Sequence, residues 1–175
     1  MTKKQIRQQM ISKMKTFAKS EGKEKIDHSL LQKLLNSSLY QNSKTIATYI
    51  SMPNEFNTGP FIRQALKDGK TILVPKTYPK GRMIFVQYNP EELQTTSFGL
   101  LEPISDLEVS KSLIDCIHVP GVVFNADGHR IGYGAGYYDR YLADYVGQTV
   151  STIYVFQLQE FTNDPYDIPV RKIIQ

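Results

Sequence analysis

Apolar residues recur at two different periods along the chain, and the alternation between those periods sets the expected fold. Ile6, Met10, Met14 and Phe17 fall three or four positions apart, so residues 3–19 are predicted to form an amphipathic helix. After the polar break SEGKEK, Asp27 is placed to cap a second helix, whose apolar stripe is Leu30, Leu31, Leu34, Leu35 and Leu39. TIATYI (45–50) reads instead as a short continuous apolar run, the pattern of a buried strand. SMPNEFNTGP is a loop, and a short helix over 60–68 would turn Ile62, Ala65 and Leu66 inward.

TILVP (71–75) and RMIFVQY (82–88) predict two further strands, with NPEELQ after them as one helical turn. Residues 111–119, ending in LIDCIHV, give a strand that stops at Pro120-Gly121. From Tyr138 the spacing is helical again, through Tyr141, Leu142, Tyr145 and Val146, with Gly147 as its stop. TVSTIYVF (149–156) is β-rich, and the irregular tail DPYDIPVRKII ends in a last strand. Helices alternating with short apolar strands predict an α/β fold, a single-domain three-layer sandwich over 1–175 with a largely parallel sheet flanked by helices.

Composition narrows the classes. A net charge of +4 suits an anionic small molecule as well as nucleic acid, and so does not choose between them. Cys116 is the only cysteine, which excludes an intrachain disulfide, a CxxC zinc site and a redox pair. The polar start MTKKQIRQQM is unlike a signal peptide, and no apolar run approaches the ~18 residues of a membrane span. The expectation is a cytoplasmic protein, acting as a monomer, with no membrane partner.

The densest chemistry lies in RIGYGAGYYDR (130–140), with glycines on alternate positions between two arginines. Glycine lets backbone approach a ligand closely, and consecutive free N–H groups make an anion-binding concavity. This is a phosphate-binding loop in outline, but of neither common kind. Gly132-x-Gly134-x-Gly136 is not the spacing of a dinucleotide site, and it falls late in the chain. Gly69-Lys70-Thr71 matches only the end of a Walker loop, has Gln64 where the first glycine belongs, and precedes a strand, so it is a turn. His28, His118 and His129 lack metal-ligand spacing and read as structural or surface residues.

PGVVFNADGHRIGYGAGYYDRYL (120–142) resembles the signature of the 5-formyltetrahydrofolate cyclo-ligase family, also called 5,10-methenyltetrahydrofolate synthetases. The likeness extends to KKQIR, YISMPNEFNT, TILVPK, FGLLEP and YDIPV, with two departures: Ala135 inside the loop, and Arg171 where an acidic residue is common. It implies a NagB/RpiA/CoA-transferase-like version of the sandwich and an enzyme that closes 5-formyltetrahydrofolate to 5,10-methenyltetrahydrofolate. ATP would be its co-substrate and Mg²⁺ its cofactor.

Carried onto this chain, the resemblance implies ATP contacts from Lys3, Lys4, Gln5, Ile6 and Arg7, and from the loop residues Arg130, Ile131, Gly132, Tyr133, Gly134, Ala135, Gly136, Tyr137 and Tyr138. Folate would meet Ile50, Glu55, Tyr133, Gly134, Ala135, Gly136 and Tyr137; Asp139 and Asp167 would hold the metal; Lys3, Arg130 and Tyr137 would act in catalysis. Elementary chemistry supports several of these. Lys3 and Arg7 share a helix face, arginine grips phosphate bidentately, and a carboxylate such as Glu55 accepts adjacent pterin N–H groups side by side. Two other readings compete: a CoA-transferase or sugar-phosphate isomerase relative acting without ATP, and a basic RNA-binding protein with interleaved tyrosines. The second needs an exposed aromatic platform, whereas Tyr138, Tyr141 and Tyr145 share the apolar face of a predicted helix, so no nucleic acid is expected.

Overall fold

The computed structural model describes all 175 residues. Helix α1 (Lys3–Ala18) opens on a capping box, in which Thr2 and Gln5 satisfy each other's backbone N–H groups. Helices α2 (Lys23–Leu35) and α3 (Ser38–Gln41) follow, then strand β1 (Thr45–Ala47), helix α4 (Gly59–Lys67), β2 (Thr71–Thr77) and β3 (Met83–Gln87). A small hairpin, β4 (Leu93–Thr95) with β5 (Leu101–Pro103), leads to β6 (Cys116–His118). A second hairpin, β7 (Val123–Phe124) with β8 (Arg130–Ile131), precedes α5 (Tyr137–Leu142), β9 (Gln148–Thr152) and β10 (Lys172–Ile174).

Six strands form the central sheet in the order β10-β9-β6-β1-β2-β3, parallel throughout except that β3 runs antiparallel to β2. Alternation along each strand divides the core into two faces. Ile46, Ile72 and Cys116 point into one layer with Leu30 and Leu34 of α2, Tyr40, and Phe61, Ile62 and Ala65 of α4. Their neighbours Ala47, Leu73 and Ile117 point the other way, against Tyr141 and Leu142 of α5 and Phe124 of β7. Helix α1 meets the sheet core only at its end, through Phe17; Ile6, Met10 and Met14 pack on Val122, Val123 and Ile131 of the second hairpin. Met10 and Met14 are both fully buried there, each contributing about 1.5–3 kcal/mol, so this docking holds the N-terminal residues against the glycine loop.

Four local expectations are corrected. Helix α2 begins a turn early, after Gly22, so Asp27 is no cap but a buried mid-helix residue bonded to Lys23 and Tyr154. In α4 the inward positions are Phe61, Ile62 and Ala65, while Leu66 is exposed. NPEELQ forms a turn and then β4, because Leu93–Thr95 finds a partner strand in Leu101–Pro103. Helix α5 stops at Leu142; Tyr145 turns to donate to the Ile114 carbonyl, and Val146 is left in solvent.

Candidate active site

Strand order reverses between β1 and β6: from β1 the sheet grows one way through β2 and β3, and from β6 the other way through β9 and β10. In parallel sheets the loops leaving the carboxyl ends diverge at such a reversal and open a crevice. The predicted site residues come from these loops. Ile50 and Glu55 follow β1, the segment 130–139 follows β6, and Asp167 follows β9.

In the glycine loop, Gly134 (φ +115°) and Gly136 (φ +71°) need the backbone freedom that glycine supplies; Gly132 has no positive φ. The backbone N–H groups of residues 132–136 donate to no protein acceptor. The guanidinium of Arg7 lies across the loop: its Nε donates to the Gly132 carbonyl at 2.7 Å, and a Cβ on Gly134 would sit 3.7 Å from its Cζ. From the other side Arg140 donates to the Ala135 carbonyl at 2.6 Å. Helix α5 has only six residues, so its dipole adds little here and the cations dominate.

Arg130 is buried beneath the loop. Its Nη1 donates to Asp139 Oδ1 at 3.0 Å, its guanidinium lies 5.7 Å from the Tyr138 ring centroid, and its Nε has no partner. Asp139 Oδ1 also accepts from the Ile168 N–H at 3.1 Å, which brings Asp167, the preceding residue, to the same corner. Asp167 Oδ2 accepts from Lys3 Nζ at 2.6 Å and from the Asp164 N–H at 2.8 Å. Burial alone would raise the Asp167 carboxyl, but Lys3 and the Asp164 N–H outweigh it and hold the group below the usual carboxylate range. Burial likewise pulls the Lys3 ammonium down, and the two aspartates more than reverse it. No group of three or more His, Cys, Asp or Glu side chains converges anywhere in the chain. Two carboxylates, each engaged through one oxygen, nevertheless fit Mg²⁺, which commonly takes one or two carboxylates and completes its shell with phosphate oxygens and water.

The opposite wall is built around Glu55, which is buried. Its Oε2 accepts from the Met52 N–H at 2.8 Å and its Oε1 from the Tyr133 hydroxyl at 2.9 Å. Burial raises the Glu55 carboxyl above its ordinary range despite these two bonds. The floor adds Tyr49, which the sequence did not single out, to His118, which it read as a structural or surface residue. Tyr49 packs on His118, ring centroids 5.0 Å apart, and His118 is buried with its ring nitrogens each 2.9 Å from a threonine hydroxyl, Thr48 and Thr152. Burial lowers its pKa to about 3, so the imidazole is neutral. Below the Glu55 segment, Asp27 accepts from the Tyr154 hydroxyl at 2.7 Å and pairs with Lys23 at 2.6 Å.

The remaining predicted residues are placed unevenly. Lys4 is exposed, Gln5 is engaged in the helix cap, and Ile6 and Ile131 lie in the core. Ile50 and Tyr138 are partly buried, and Tyr137 directs its hydroxyl to the Tyr78 carbonyl at a long 3.4 Å.

A model of the 5-formyltetrahydrofolate cyclo-ligase family matches residues 1–175. The chain belongs to this family. A 5-formyltetrahydrofolate cyclo-ligase of Mycoplasma pneumoniae is 33% identical over 180 residues, covering 99% of this chain and 98% of the relative. The mouse enzyme of that name is 34% identical over 132 residues, and the match spans 69% of this chain and 65% of the mouse protein. Among solved structures, a 5,10-methenyltetrahydrofolate synthetase from M. pneumoniae superposes with a TM-score of 0.80 at 31% identity, covering 99% of this chain and 98% of its own. The synthetase of Aquifex aeolicus gives 0.84 at 29% identity, covering 99% and 89%. Family membership makes the chain a ligase of folate metabolism, and no helix is long and apolar enough to cross a membrane.

Proposed function

We propose that this protein couples ATP to the closure of 5-formyltetrahydrofolate, giving 5,10-methenyltetrahydrofolate, ADP and phosphate. The observation that carries this reading is the double attachment of one loop. Gly132 is bonded to Arg7, a phosphate-binding candidate, while the adjacent Tyr133 is bonded to Glu55, the pterin-binding candidate. Two ligand cradles therefore meet within two residues of the loop.

The chemical obstacle is the formyl oxygen, a poor leaving group. Transfer of the γ-phosphoryl group to that oxygen forms the O–P bond as the bond to ADP breaks. N10 then attacks the formyl carbon, the C–O bond breaks with its electron pair leaving on phosphate, and N10 loses its proton. No covalent enzyme intermediate is needed, so the protein's contribution is position and charge.

Arg7, Lys3 and Arg130 bind phosphate oxygens, with the free N–H groups of residues 132–136 completing the cradle. Glu55 accepts from the pterin, since each carboxylate oxygen has a further lone pair beyond its present bond. Asp139 and Asp167 would hold Mg²⁺, which when bound neutralises charge on the phosphates. The test is to combine purified protein, ATP, Mg²⁺ and 5-formyltetrahydrofolate and to follow the methenyl chromophore together with ADP. One ADP per turnover is expected; conversion at the same rate without ATP refutes the reading and favours an ATP-independent relative.

A further inference from the structure

Lys3 occupies the first position of α1, where a long, flexible side chain has little packing to fix it. Its ammonium is nevertheless held at two points, 2.8 Å from Asp164 Oδ2 and 2.6 Å from Asp167 Oδ2. The two aspartates differ. Asp167 belongs to the corner shared with Asp139, whereas the Asp164 side chain is 63% exposed and bonds only Lys3. An ammonium has three donors, so the third is available to a phosphate oxygen.

We propose that Asp164 is a positioning residue for nucleotide binding: it anchors Lys3 beside the phosphates when Asp167 turns to the metal. The proposal rests on the reading that Mg·ATP binds at this corner. With Mg²⁺ on its free oxygen, the Asp167 carboxylate would share its charge between the metal and Lys3, and its hold on the ammonium would weaken. Asp164 keeps it in place, so the rotamer freedom of the lysine chain is not lost anew on binding. Simple electrostatics makes the opposite forecast, because Asp164 is a negative charge near a polyanion. At an exposed position that repulsion is screened by water and salt, and the anchoring contribution wins.

The two forecasts differ in sign, which makes calorimetric titration of Mg·ATP decisive. Asp164→Ala should weaken binding about 1.5- to fivefold, the range for loss of an exposed ion pair, with folate affinity unchanged. Asp164→Asn should recover part of the loss, since the amide oxygen still accepts from Lys3. The turn should survive in both, because its Asp164 contacts are made by backbone atoms, the N–H to Asp167 and the carbonyl accepting from Asp167 and Asn163. In a Lys3→Met background, Asp164→Ala should no longer weaken binding. Tighter or unchanged Mg·ATP binding in Asp164→Ala overturns the proposal, as does an equal loss without Lys3. Failure of the unsubstituted protein to bind Mg·ATP at all would instead remove the nucleotide reading on which it rests.

Discussion

Glu55→Gln separates the two cradles, and its size can be worked from the bonds Glu55 makes. The amide is nearly isosteric with the carboxylate, so one of its two ends must become a donor. The Met52 N–H can only donate, which fixes the amide oxygen on that side. The amide nitrogen then faces the Tyr133 hydroxyl, which can rotate to accept, so both local bonds survive. What changes is the face offered to the pterin. A charge-assisted acceptor worth about 1.5–3 kcal/mol becomes neutral, and an unpaired donor contact adds about 1–3 kcal/mol. Folate affinity should fall by about two to four decades, while ATP affinity changes by less than twofold.

Stability should move the other way. An acid whose folded pKa is raised holds its proton longer in the native state than in the unfolded chain. Its contribution to stability is lost as pH rises from the ordinary carboxyl range through the raised value. At neutral pH the wild type therefore carries a penalty that Glu55→Gln removes, and its melting temperature should equal or exceed that of the wild type. The assay is separate titration of each ligand with thermal unfolding in parallel. Equal loss of ATP and folate affinity, or a clear drop in melting temperature, would show that Glu55 serves the fold and not the pterin.

Other outcomes follow from the same geometry. Gly134→Val places a β-branched side chain at φ +115° against Arg7, so ATP affinity should be lost at a stability cost of about 1–3 kcal/mol, read by calorimetry and denaturant melts; unaltered ATP binding would place the phosphates elsewhere. Asp139→Asn keeps an acceptor for the Ile168 N–H but removes the charge opposite Arg130, and turnover should fall by roughly two to four decades, with ATP affinity less affected. Wild-type turnover across the Mg²⁺ range would make that carboxylate only a local counter-charge. The His118 imidazole should show no NMR titration between pH 5 and 8; a midpoint inside that window contradicts its burial between two threonines. Since its folded pKa is depressed, this residue should cost stability as pH falls from the ordinary histidine value toward about 3.

Periodicity made the layers legible. The i, i+4 spacing of Ile6, Met10 and Met14, and the pairs Ile46–Ala47 and Ile72–Leu73, are local signals that burial simply amplified. Errors arose where a distant partner decided the outcome. Asp27 suits a cap by residue type, but the partner that draws it inward is Tyr154, 127 positions away. NPEELQ has the composition of a helical turn, yet pairing with 101–103 prevails over local propensity. The glycine loop was legible as a backbone-exposing turn, and its residues 132–136 indeed leave their N–H groups without protein acceptors. Which glycines are conformationally required was not legible, because spacing alone cannot distinguish Gly132 from Gly134. The floor residues Tyr49 and His118 carried no motif; only the meeting of β1, β6 and β9 gives them a place.

Arg130 shows why the site had to be assembled from distant segments. Burying a guanidinium costs several kcal/mol unless its donors are matched, and here the close match is one oxygen of Asp139, while Nε is left without a partner. A fold selected for stability alone would fill that position with an apolar side chain, because Arg130 pairs across the hairpin with Phe124 and lies at the Tyr138 ring, both part of the core packed against α5. The unmet donor sits instead under a loop whose own N–H groups are also unmet, at the one place in the sheet where strand order reverses. One buried donor without a partner, Arg130 Nε, and solvent-facing loop N–H groups free of protein acceptors thus come from one segment and meet Arg7 from another. The cost of burying Arg130 is offset in part by the apolar docking of α1, which also delivers Lys3 and Arg7 to the crevice.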